Sequence, residues 1–114
     1  MTHGIQQVVD LMAGAGVGPL WGMASDDLNA TLLEWPAGHQ VAEYVNADLD
    51  VLLVVLAGSG TITIDAQPRA LTGGSAILVA RGARRGIRAG ADGLRYLSIH
   101  RRRGPLQIQS APPE

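Results

Sequence analysis

The stretch whose reading decides the fold runs from Gly38 to Gly58, GHQVAEYVNADLDVLLVVLAG. Its first half is polar, carrying His39, Gln40, Glu43, Tyr44, Asn46, Asp48 and Asp50. Its second half is apolar without a break from Val51 to Leu56 and then reaches a glycine. A strand in a solitary barrel alternates, because one face lines the interior and the other meets water. An unbroken run is apolar on both faces, so the outer face calls for cover. A homodimer or the N-terminal segment would supply it.

Outward from this stretch the chain reads as short strands separated by turn signals. LWGMA and LNATLLEW precede it, the second stopping at Pro36-Ala37-Gly38. TITID alternates as a half-buried strand does, and AQPRALTGG is a turn-rich connection in which Pro68 is unsuited to a central strand. SAILVARG and RGIRAG lead to AGADG, read as a hairpin turn, and LRYLSIHRRR is the last strand. Strands this short and this regularly spaced predict an all-β sandwich or closed barrel. At the N-terminus, Ile5, Val8, Val9 and Met12 recur at helical spacing and predict one short amphipathic helix, ended by AGAGVG. The expected organisation is a helix and glycine-rich linker over 1–18, a barrel over 19–104 and a tail over 105–114.

Composition narrows the function classes. With 114 residues, 46 % of them hydrophobic, the chain builds one core, and no apolar run approaches a membrane span. There is no cysteine, so disulfides and thiolate metal sites are excluded. No secretory signal is visible, and the cytoplasm is the expected location. The net charge of −1 argues against broad electrostatic capture of nucleic acid. Yet all nine cations are arginines from Arg69 onward, while residues 1–68 hold eight acids and no cation. Either the two halves of the chain interleave in space, or the arginine-rich end is a binding tail. RRRGP is short and has no aromatic residues interleaved, which favours interleaving.

The glycine spacing adds a second layer. Gly38, five residues, Tyr44, one residue, Asn46, four residues, Val51, six residues and Gly58 form one frame. Gly74, five residues, Ala80, one residue, Gly82, two residues, Arg85, three residues and Ala89 form another. Both resemble the two motifs of the cupin superfamily, of the small single-domain cupin-2, RmlC-like type, with every motif glycine in its place. The resemblance covers roughly residues 28–100. It implies an antiparallel jelly-roll β-barrel (a double-stranded β-helix), usually dimeric, with a pocket in the barrel mouth. It also implies a divalent metal held at positions 44, 46, 51 and 85.

Those four positions hold Tyr44, Asn46, Val51 and Arg85, so all four family ligands are replaced. Valine has no donor atom, and a guanidinium has no lone pair and is always charged. A metal bound in the family's manner is therefore not expected, nor is any other cofactor. His39, Glu43, Asp48, Asp50 and His100 are the residues from which a displaced metal site would have to be built. Strand alternation turns His39 and Glu43 away from Tyr44 and Asn46.

What remains is a polar trio, Tyr44, Asn46 and Arg85, predicted to line a ligand pocket. In one reading Arg85 pairs with Asp50 or Glu43 and the trio merely plugs the barrel. In the other it receives a small anionic or hydroxylated molecule. Tyr44 and His100 are the candidate acid–base residues, after the metal-free sugar epimerases of the resembled superfamily. Whether His100, with Ser98 and Tyr96 on its strand face, looks inward is open in the sequence. Trp21 and Trp35 read as core or interface anchors. The expectation is a metal-independent small-molecule-binding barrel and homodimer with neither nucleic-acid nor membrane partner. A metal-free isomerase, and a metal-dependent oxygenase or isomerase with displaced ligands, are the alternatives.

Overall fold

The structure, a computed structural model, describes residues 7–102. Its strands are β1 (Gly18–Ala24), β2 (Leu28–Trp35), β3 (Gln40–Val45), β4 (Val51–Ile64), β5 (Gln67–Thr72), β6 (Ala76–Val79) and β7 (Arg84–Arg101). Every pairing between them is antiparallel.

Two long strands organise the others. β4 and β7 pair first from Val51↔His100 to Gly58↔Leu94 and again from Gly60↔Ala89 to Ile64↔Arg85. Between these blocks Ser59 stands alone against residues 90–93, a bulge that bends both strands sharply. Glycine is required at this crossing. Gly58 has φ +84° and Gly93 has φ +75°, and a Cβ on Gly58 would run into the Gly93 carbonyl oxygen. A Cβ on Gly60 would lie 2.5 Å from the Arg88 carbonyl oxygen. Only residues without a side chain let the two backbones pass so closely. AGADG is thus a bulge within one continuous strand rather than a hairpin turn. Likewise VLLVVLAG and TITI form one strand bent at Gly58, not two.

The bend divides the sheet into two halves. One holds β1-β2-β7-β4-β6, the other β3-β7-β4-β5. The halves close on each other as a jelly-roll barrel. The core joins Val51, Leu53, Val55, Leu94 and Tyr96 of the first half to Ile62, Leu71, Ile87 and Ala89 of the second. The turn-rich AQPRALTGG contributes β5, and Pro68 is accommodated there because β5 is an edge strand.

The short N-terminal helix expected from Val8, Val9 and Met12 is not formed; Ile5 lies outside the described residues. Residues 7–17 run as irregular chain with one turn, and Val8 is fully exposed. Two contacts displace the helix. The Asp10 carboxylate accepts from the Met12 amide at 2.9 Å, a local turn that competes with helical bonding. Arg95, 6 % exposed on β7, donates to the carbonyls of Leu11, Ala13 and Gly14 at 2.6–3.0 Å. It also pairs with Glu34 of β2 at 2.7 Å. Those carbonyls are held by the sheet, not by a helix. The expected tail over 105–114 lies outside the described residues.

The apolar run at the start of β4 alternates in burial. Val51, Leu53 and Val55 are buried in the barrel, whereas Leu52 is 37 % exposed. On the outer face, the register aligns Leu78, Leu52, Ile99 and Ala30 in one row. Ala76, Val54, Leu97 and Leu32 form the next.

The crossing predicts a contrast between two glycines. Gly38 also has positive φ (+76°) but has open space around it, so Gly38→Ala should cost about 1–2 kcal/mol in backbone strain alone. Gly58→Ala adds overpacking against Gly93, about 1–3 kcal/mol more. Urea unfolding of the two variants measures this; equal losses would contradict the crossing.

Candidate functional site

The barrel encloses a cavity of about 530 Å³ to which both sheet halves contribute. From the first half, side chains of β2 and β7 face each other in register. Asn29 pairs with His100, Thr31 with Ser98 and Leu33 with Tyr96, and all six line the cavity. From the second half, Tyr44 lies opposite Arg85 and Val41 opposite Ile87, and these four also line it. A register irregularity between Val41 and Tyr44 lets β3 present both residues inward. Asn46 and Val51 complete this end of the site. The sequence-predicted trio and His100 therefore converge on one cavity, and the last strand turns His100, Ser98 and Tyr96 inward.

Arg85 dominates the electrostatics. It is 2 % exposed, yet no carboxylate of the described residues lies within 4.0 Å of it. Its Nε donates to the Ala83 carbonyl at a long 3.4 Å, and its Nη2 is buried with no hydrogen-bond partner. The guanidinium carbon lies 4.9 Å from the Tyr44 ring centroid, where the ring face offers partial compensation. The partners that a plug would use lie elsewhere. Asp50 accepts from the Arg81 amide at 2.8 Å, and Glu43 lines a separate groove on the outer face of the second half. A buried donor on a charged group without an acceptor is costly, and an incoming anion would relieve that cost.

Asn46 has a divided role. Its Oδ1 accepts from the backbone amides of Asp48 and Leu49, both at 3.1 Å, fixing the turn into β4. What it can offer the cavity is its amide NH₂. Its backbone carbonyl accepts from Gly82 at 2.8 Å, which ties this turn to the one leading into Arg85.

Trp35, read from the sequence as a core or interface anchor, packs against the core and also lines the cavity. Its indole donates to the Tyr96 hydroxyl at 3.0 Å, and His39 stacks on it at 4.2 Å with the rings nearly parallel. Burial pushes the Tyr96 phenol above its ordinary range. The Trp35 hydrogen bond partly offsets this, and the charge of Tyr44 acts in the raising direction. Tyr96 is thus held neutral, its oxygen occupied by Trp35. Sequence reasoning placed Tyr96 on the strand face of His100 but gave it no role. The signal was Trp35 on the facing strand at a position of inward parity.

His100 donates from Nδ1 to the Arg101 carbonyl at 2.9 Å, so in the neutral ring Nε2 carries the lone pair. Nε2 lies 3.4 Å from the Asn29 amide nitrogen.

The residues present do not fit a metal at the family positions. Val51 has no donor atom, Asn46 Oδ1 is spent on two backbone amides, and Arg85 places a buried cation where a divalent ion would sit. Nor does any group of three His, Asp or Glu side chains gather elsewhere among the described residues.

No family model matches the sequence, and no curated protein matches it. Solved structures do. A cupin protein from Bacteroides fragilis superposes with a TM-score of 0.69 at 22 % identity, over 92 % of this chain and 93 % of its own. A cupin-2 domain containing protein from Shewanella frigidimarina gives 0.67 at 18 %, over 80 % and 86 %. KdgF from Halomonas sp. gives 0.67 at 17 %, over 72 % and 76 %. At these identities the likeness establishes the fold.

The Tyr96 environment predicts an alkaline limit to stability. Its folded pKa lies above the unfolded value, so its contribution is fully present below about pH 10 and is lost as pH rises through the folded pKa. Trp35→Phe removes the bond that favours the phenolate and should raise the Tyr96 pKa further, as read by ultraviolet titration of the phenols. Tyr96→Phe should flatten the alkaline fall in unfolding free energy. An unchanged fall in Tyr96→Phe would contradict the assignment.

Proposed function

We propose that this chain, a cupin by fold, is a metal-independent domain that binds a small organic anion in its barrel cavity, with Arg85 as the anion receptor. The observation that carries the reading is the buried guanidinium whose Nη2 has no partner, while Asp50 is bonded to the Arg81 amide and Glu43 lies on a separate groove. Tyr44 stacks against Arg85 and completes its surroundings, and Asn46 adds an amide donor to the same cavity.

A second reading, a metal-free acid–base isomerase of the epimerase kind, is favoured by one observation. His100 and Tyr44 line the same cavity, and the Arg101 carbonyl sets the tautomer that puts the lone pair on His100 Nε2, toward the Asn29 amide. In that case Arg85 would steady a carboxylate or enolate while His100 and Tyr44 move the proton.

The working unit of this reading is a cytoplasmic homodimer. The apolar row of Leu78, Leu52, Ile99 and Ala30 on the outer face supports it, with Leu78 65 % and Leu52 37 % exposed, whereas Leu32 of the next row is already buried within the chain. No helix among the described residues is long and apolar enough to cross a membrane.

Two measurements follow. Replacing a buried, unpaired charge by an apolar residue of similar volume removes a desolvation penalty, so Arg85→Met should be more stable than the parent without ligand, by about 1–4 kcal/mol. The same variant should lose the stabilisation that carboxylates give the parent, about 2.7 kcal/mol at a hundredfold excess over Kd. If Arg85→Met is instead destabilised, the guanidinium is a structural plug. For the dimer, sedimentation should give twice the chain mass, and Leu78→Lys should halve it. A monomeric parent would refute that part.

A further inference from the structure

We infer that the ligand is an amphipathic monocarboxylate: one carboxylate on an aliphatic or aryl body, rather than a sugar acid or a phosphate. The inference rests on the reading that an anion sits at Arg85, and it names the class.

Charge narrows the class. Among the described residues, Arg85 is the one Lys or Arg side chain lining the cavity, and no carboxylate lines it. The cavity thus offers a single positive charge to balance. A phosphate dianion would bring a second negative charge that no second Lys or Arg among the described lining residues meets. Nor is there a helix N-terminus among the described residues to help, since the ordered elements are strands. The Tyr96 hydroxyl adds a neutral donor. Its oxygen accepts from Trp35, and its own hydrogen has no acceptor among the described residues.

The polarity of the cavity also changes along the strands. β4 and β7 double back at the Gly58–Gly93 crossing, so the strand ends remote from it lie at the same end of the barrel. At that remote end β2, β3 and β7 supply a polar lining, Asn29, His100, Thr31 and Ser98 from one half and Tyr44 and Arg85 from the other, while β4 supplies the apolar Val51 and Leu53. Two to four residues nearer the crossing it becomes apolar, with Leu33 and Trp35 on one side and Val41 and Ile87 on the other. Tyr96 stands in register with Leu33, at the boundary. Both halves change character in the same direction. A carboxylate head at Arg85 therefore leaves its body among Leu33, Trp35, Val41 and Ile87. The hydroxyls of a sugar acid would meet those side chains without partners.

The test is a binding series on the full chain, by calorimetry, with acetate, butyrate, hexanoate, benzoate, glucuronate and inorganic phosphate. The expected result is affinity rising roughly fourfold per methylene from acetate to hexanoate. Benzoate should bind comparably, and glucuronate and phosphate should be at least about tenfold weaker than hexanoate. Arg85→Met should abolish binding of every carboxylate. If glucuronate or phosphate binds tightest and Arg85→Met abolishes it, anion binding stands and the ligand class is overturned. A flat series from acetate to hexanoate also overturns the class. If no probe binds the parent, or binding survives in Arg85→Met, both the class and the anion reading fall. The chain-length series needs no variant, so it decides the class even if Arg85→Met does not fold.

Discussion

The architecture depends on one close approach, the crossing of β4 and β7 at Gly58, Gly60 and Gly93. Each of these strands serves both halves of the barrel, and each can do so only by bending where the two backbones touch. A side chain at Gly58 would meet the Gly93 carbonyl, and both residues hold a backbone angle that L-residues avoid. Once the crossing is made, the rest follows from register. It carries Arg85 and His100, at opposite ends of β7, to the same end of the cavity. It also aligns the apolar positions of β2, β3, β4 and β7 into one core.

Inside that frame the site is organised by a missing partner. A buried arginine in a folded domain is normally paired with a carboxylate or saturated with carbonyls, because its desolvation is expensive. Arg95 in the same strand shows the saturated case, with three carbonyls and Glu34 around it. Arg85, ten residues earlier, has one long contact to Ala83, an aromatic face and an orphaned Nη2. The difference between two arginines of similar burial in one strand is what the proposed receptor role of Arg85 rests on. The surroundings repeat the distinction. Arg95 holds down the N-terminal segment on the outer face, and Arg85 looks into a cavity.

Much of this was legible in the sequence, for reasons that can be named. The motif glycines were readable because all four, Gly38, Gly58, Gly74 and Gly82, hold a positive φ that glycine adopts most easily, and Gly58 also lies against a passing backbone. That Val51 and Arg85 cannot hold a metal was readable because neither side chain has a lone pair to give. The lone state of Arg85 was not, since Glu43 and Asp50 were both available on paper. It took the fold to send Glu43 to the outer face and Asp50 to the Arg81 amide. The inward face of Tyr96, Ser98 and His100 was hidden by the bulge at 90–93, because alternation cannot be counted through an unpaired segment. The N-terminal helix failed for a related reason. Val8, Val9 and Met12 had the right period, but Arg95, more than eighty residues away, takes the carbonyls a helix would need.

The central claim is that Arg85 is an anion receptor and not a plug, and one measurement addresses it directly. A high-resolution crystal structure of the purified protein, grown with benzoate, would reveal what meets Arg85 Nη2. The account predicts a carboxylate of benzoate on the guanidinium, with the ring directed toward Leu33, Trp35, Val41 and Ile87. An Arg85 side chain paired with Glu43 or Asp50, or turned out of the cavity with benzoate elsewhere, would contradict it.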